Sequence, residues 1–96
     1  MEMFFKQDNI IVDIDGGNVI ETLTGKVMTL NFDDMTMKPF NTRSKLTPIR
    51  FNDRKQLLLW EPVRNRWTPF KERFPTNVLN AIDKLIEVKI EKELLG

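Results

Sequence analysis

The chain has 96 residues, the size of one domain that buries roughly two thirds of its unfolded surface. It contains no cysteine, histidine or tyrosine, which excludes disulfides, thiolate nucleophiles, cysteine- and histidine-ligated metals and imidazole acid–base chemistry. The net charge of +1 hides an asymmetry. Residues 1–37 carry two lysines against seven acids, residues 38–73 ten bases against three acids, and residues 74–96 three lysines against four acids.

In chain order, the β-branched run at 9–14 ends in Asp15-Gly16-Gly17-Asn18, which supplies the positive-φ residues of a tight hairpin turn. A strand from Val19 to Leu23 follows, then Thr24-Gly25-Lys26 as a second turn or bulge. Val27 to Phe32 alternates Met28, Leu30 and Phe32 onto one face. Asp33-Asp34 breaks that run, and Met35 and Met37 then alternate with Thr36 and Lys38 up to Pro39. Residues 41–48 read as a loop. Ile49–Phe51 is a short strand, Asn52-Asp53 a turn, and Lys55 to Glu61 an apolar strand.

Pro62-Val63-Arg64-Asn65 is the next turn. A four-residue loop there sets Glu61 opposite Arg66 and Trp60 opposite Trp67, as a cross-strand ion pair and an aromatic pair. After Pro75 the period changes. Thr76 or Asn77 can cap a helix, and Val78, Leu79, Ile82, Leu85, Ile86 and Ile90 recur at helical spacing. The segment 86–91 also alternates like a strand, but length and the cap favour helix. Asp83, Glu87 and Glu91 form an acidic stripe whose self-repulsion implies a basic surface nearby. No internal repeat is visible.

The order predicts a mainly β domain (α+β by count). Its form is a small, strongly bent antiparallel sheet or open barrel over about residues 9–70, with a C-terminal helix over about 76–95. No apolar run approaches the ~20 residues of a membrane helix, and the first residues lack the basic start and apolar length of a signal peptide. A cytoplasmic location is expected. With carboxylates, lysine, arginine and one serine as the remaining chemistry, no enzymatic activity, metal or cofactor is expected.

All six arginines fall between Arg43 and Arg73, together with both tryptophans. Arginine suits phosphate forks and base stacking, and a basic segment with interleaved aromatics is a nucleic-acid footprint. Trp60 and Trp67 are equally suited to a core or an oligomer contact. Asp33 and Asp34 read as turn aspartates capping backbone rather than as metal ligands. Met28, Met35 and Met37 read as core filler.

Three pieces in order, Val19-Ile20-Glu21-Thr22-Leu23-Thr24-Gly25-Lys26, Phe32-Asp33-Asp34-Met35-Thr36-Met37, and Ile49-Arg50-Phe51-Asn52 leading into Gln56 to Trp60, resemble the Sm-like (Sm/LSm) domain. The resemblance spans about residues 19–60. It implies a ring-forming barrel that binds single-stranded RNA, with Arg50 in the last turn stacking on a base and Asn52 and Thr36 nearby. Thr36 stands where the family has a recognition asparagine, so a uridine preference is not implied. Phe51 replaces the family's glycine and offers either a stacking surface or core packing.

The reading therefore expects single-stranded nucleic-acid binding, RNA ahead of DNA, by a homo-oligomer joined through strand edges. Arg50, Asn52 and Thr36 are candidate base contacts, and Arg43, Lys45, Arg54, Arg64, Arg66 and Arg73 candidate phosphate contacts. The alternative is a structural or assembly subunit in which the acidic segment of one copy meets the basic segment of another.

Overall fold

A computed structural model describes residues 4–40 and 46–95, with side chains as far as Lys89. Among them are eight strands: β1 (Phe4–Gln7), β2 (Ile10–Asp13), β3 (Asn18–Glu21), β4 (Val27–Asn31), β5 (Thr36–Lys38), β6 (Thr47–Phe51), β7 (Leu57–Glu61) and β8 (Arg66–Pro69). They form one antiparallel sheet in strict chain order, with β1 and β8 at its edges and no closure between them. A single 3-10 turn, Phe70–Glu72, leads into helix α1 (Thr76–Leu95). The expected mainly β class with a C-terminal helix is what the molecule shows. The sheet begins earlier than the expected residue 9, because Phe4–Gln7 adds an edge strand.

The hairpins share one device. Their loops close on a residue in the left-handed region: Gly17 (φ 71°), Gly25 (72°), Met35 (54°), Lys55 (62°) and Asn65 (52°). That conformation costs a non-glycine residue roughly 1–2 kcal/mol, so local hydrogen bonds must hold it. Asn31 Oδ1 accepts from the Asp33 and Asp34 amides ahead of Met35. Asn52 Oδ1 accepts from the Arg54 and Gln56 amides around Lys55. Gly25 and Met35 are ten residues apart, as are Lys55 and Asn65.

Met35 and Met37 both pack against the core as expected, but Met35 lies in the loop ahead of β5 and not in the strand. Met37 is buried on β5, whereas Met35 closes the preceding loop and passes its carbonyl to the Ile49 amide (3.0 Å). At Gly17 the glycine is required twice over. Its φ is positive, and a methyl group there would run into the carbonyl oxygen of Leu30, the residue whose amide donates to the Gly17 carbonyl (2.8 Å).

One face of the sheet is the core face. Ile10, Val12, Val19, Met28, Leu30, Met37, Ile49, Leu57 and Leu59 point to it and are buried. Helix α1 covers it with Val78, Ala81, Ile82 and Leu85, a stripe at i, i+3, i+4 and i+7. Each such side chain contributes roughly 1.5–3 kcal/mol when fully buried. The helix begins with the Leu79 amide donating to Pro75 O (3.0 Å), so Pro75 occupies the capping position and Thr76 and Asn77 lie in the first turn. The strand alternative for 86–91 does not occur.

Candidate nucleic-acid interface

A meander transfers chain order into space. Because the strands lie side by side in sequence order, the acidic first third of the chain becomes one side of the sheet and the basic middle third the other. Asp13, Asp15, Asp33 and Asp34 belong to β2–β5 and their loops, while Arg50, Arg54, Lys55 and Arg64 belong to β6–β8 and theirs.

The register then fixes what the outer face of the basic side displays. Arg50 is paired with Leu58, Leu58 with Pro69, and Trp60 with Trp67, and cross-strand partners share a face. This is the face opposite Ile49, Leu57 and Leu59, hence opposite the helix. The Arg50 guanidinium lies 5.0 Å from the centroid of the Trp67 ring. To reach β8 from β6 its side chain crosses β7 above Leu58. That explains how Leu58 is only 8% exposed although it stands outside the core cluster. Trp60 meets Trp67 edge to face, with centroids 5.5 Å apart. The expected Trp60–Trp67 pair is present, and Glu61 stands opposite Arg66 in register, but the expected ion pair between them is replaced by Arg66 with Glu72 and Glu61 with Arg73.

The candidate residues separate into groups. Arg50 is exposed on this outer face, and Thr36 shares the face on β5, opposite Pro48. Arg54 and Arg64 are exposed in the β6–β7 and β7–β8 loops, at opposite ends of β7, and among the described residues neither makes an ion pair. Arg66 is paired with Glu72 (3.3 Å) and Arg73 with Glu61 (3.4 Å), on the other side of β8. Their charge is already answered within the chain. Arg43 and Lys45 lie outside the described residues.

Asn52 has a different occupation from the one expected. Its Oδ1 takes the Arg54 and Gln56 amides and its Nδ2 donates to Gln56 Oε1 (3.0 Å). Both ends of the amide hold the turn, Oδ1 by accepting two backbone amides and Nδ2 by one of its two N–H donors. Arg50 is in mid-strand with the turn following it, not within the turn. Phe51 packs towards the core side, stacked at 6.2 Å on Phe32.

Glu61 is held by more than its arginine. The Thr68 hydroxyl donates to Glu61 Oε1, and that bond, with Arg73, lowers the Glu61 pKa below its ordinary value of 4.5. Across the acidic side runs a polar ladder on the outer face. Thr29 Oγ1 donates to Asn18 Oδ1 (2.6 Å) and Asn18 Nδ2 to Asp13 Oδ2 (3.0 Å). The Asn18 bond, with the Gly16 amide, keeps Asp13 ionised below its usual range.

Sequence reasoning missed Trp67 as the partner of Arg50 and Leu58 as the residue beneath it. The signal was available in two turns: closing hairpins around the loops Asp53–Lys55 and Pro62–Asn65 aligns Arg50, Leu58 and Pro69 in one row. No helix among the described residues is long and apolar enough to cross a membrane. Comparison of the chain with protein-family models, with curated proteins and with solved structures finds no match.

Proposed function

We propose that the outer face of β6–β8 binds single-stranded nucleic acid, without catalysis. The observation that carries the reading is the Arg50–Trp67 stack beside Trp60. The guanidinium lies over the indole ring, 5.0 Å from its centroid, while the side chain stays solvent-exposed, so a base can approach the same platform. Base stacking on such a platform contributes about 1–3 kcal/mol per base. Arg54 and Arg64 flank the platform at the two ends of β7, separated by roughly 17 Å at about 3.3 Å per residue. They suit phosphates of one strand laid along β7. The resemblance to Sm-like domains points to the same ligand class, with RNA ahead of DNA.

The test is fluorescence anisotropy of labelled oligo-U and oligo-A. With Arg50, Arg54 and Arg64 each meeting a phosphate, counterion release weakens binding roughly 20-fold between 50 and 200 mM salt. Absence of binding at 50 mM salt overturns the reading.

The charge split also supports a second reading, in which copies assemble with acidic side against basic side. β1 offers an open edge, but β8 ends in Pro69, which has no amide hydrogen to give a neighbouring strand. A ring closed by β1–β8 pairing would use a defective edge. A stable oligomer that binds no oligonucleotide at low salt would favour this second reading.

A further inference from the structure

On the opposite side of the molecule, α1 does not lie flush against the end of the sheet. A cleft of about 280 Å³ opens between the helix, the β6–β7 loop and the 3-10 turn. Its floor is made by Leu57, Phe70 and Ile82, each nearly buried. Leu79 and Ile86, one turn of helix to either side, form an apolar wall. Three charged groups line it as well: Lys55 from the loop, Lys71 from the 3-10 turn and Asp83 from the helix.

The charges do not balance. Among the described residues neither lysine is in an ion pair, so the lining carries two lysines against one carboxylate. Lys55 and Lys71 share this lining with Asp83, whose pKa is raised by burial. Lys55 also occupies a left-handed position, φ 62°, where asparagine or glycine is the less strained choice. A long cationic side chain is thus held at the mouth of an apolar cleft at some conformational cost.

We propose that this cleft binds a small amphipathic anion, an aliphatic carboxylate whose head sits between Lys55 and Lys71 and whose chain lies on Leu57, Phe70 and Ile82. The net positive rim selects the head group, and the apolar floor selects a chain over a compact ion such as phosphate. Asp83 limits the site to a single negative charge, since a dianion would meet the carboxylate as well as the lysines. The site lies across the sheet from the Arg50–Trp67 platform and is independent of it.

The test is isothermal titration of the whole chain with hexanoate, octanoate and decanoate, and with decyltrimethylammonium as the cationic control. Binding is expected to be saturable at one site and to tighten roughly 3- to 4-fold per methylene until the cleft is filled. The cation is expected not to bind. Lys55→Asn combined with Lys71→Gln is expected to weaken decanoate at least tenfold. Leu79→Phe, which fills the cleft from a half-buried position, is expected to do so with the charges intact. Lys55→Asn suits the left-handed backbone, so a folded, non-binding variant reads the charge and not the fold. No saturable binding of decanoate, equal binding of the cation, or binding unchanged in the double lysine variant overturns the proposal.

Discussion

The Arg50 guanidinium and the Trp67 indole, 5.0 Å apart, tie β6 to β8 across the strand between them and roof over Leu58. The contact therefore has a structural role as well as the proposed binding role. A cation–π contact at an exposed site contributes about 0.5–1 kcal/mol, and Arg50→Ala also uncovers Leu58. The variant is expected to melt roughly 4–8 °C lower, the shift for about 1 kcal/mol in a domain of this size. Arg50→Lys keeps the charge and part of the cover, so its melting temperature is expected to fall by less than half as much. Thermal melts of both variants in parallel check this.

Gly17 and Gly25 share the same backbone sign but not the same surroundings. Both have φ near +70°. A methyl group on Gly25 meets nothing within 4 Å, whereas one on Gly17 collides with the Leu30 carbonyl. Gly25→Ala is expected to cost about 1–2 kcal/mol, the left-handed penalty alone. Gly17→Ala must also displace the β4 backbone, and is expected to exceed 3 kcal/mol or prevent folding. Urea midpoints of the two variants separate the cases; equal losses would show that the β2–β4 contact at Gly17 is not tight.

Three carboxylates shape the acid limb of stability with opposing signs. The folded pKa values of Asp13 and Glu61 lie below their ordinary 3.8 and 4.5, Asp13 through Asn18 and Gly16, Glu61 through Thr68 and Arg73. Each contributes stability that is present above those ordinary values and lost as pH falls through the folded value. Burial raises Asp83 above 3.8, so its ionised form opposes folding at neutral pH and protonation relieves it. Asp13→Asn and Glu61→Gln are expected to lower stability at pH 7 and to flatten its decline below about pH 4.5. Asp83→Asn is expected to raise stability slightly at pH 7 and to have no effect once Asp83 is protonated. Urea titrations at pH 7, 4 and 3 read each sign.

The hairpin order was legible because turn chemistry is local. Asp15-Gly16-Gly17, Thr24-Gly25 and Pro62–Asn65 announce themselves by residue type, and the last of these sets the Trp60–Trp67 pair by counting alone. The loops ending at Met35 and Lys55 were less legible, since neither residue favours a positive φ. There the information sits in Asn31 and Asn52, whose side chains cap the turn from its first position. The same fact gives Asn52 a structural role that its expected place beside a base did not include: a side-chain amide in a turn has backbone donors within reach. Edge strand β1 carries no glycine or proline signal and is defined by its pairing with β2.

The charge pattern was legible as a count but not as a surface. It becomes a surface only through the meander, which keeps neighbours in sequence as neighbours in space. Arg66 and Arg73 differ from Arg54 and Arg64 in having carboxylate partners within the chain. The chain turns back after β8, bringing Glu72 and Glu61 within reach of them.

Both tryptophans of the chain stand on the proposed binding face, so intrinsic fluorescence reports on that face alone. Titration with an unlabelled single-stranded oligonucleotide at 50 mM salt is expected to quench this emission saturably. The quench is expected to weaken at least tenfold in apparent affinity in Arg50→Lys, where the charge remains and the planar stacking group is lost. Unchanged emission at saturating oligonucleotide, or equal affinity in Arg50→Lys, would contradict a base stacked at Arg50 and Trp67.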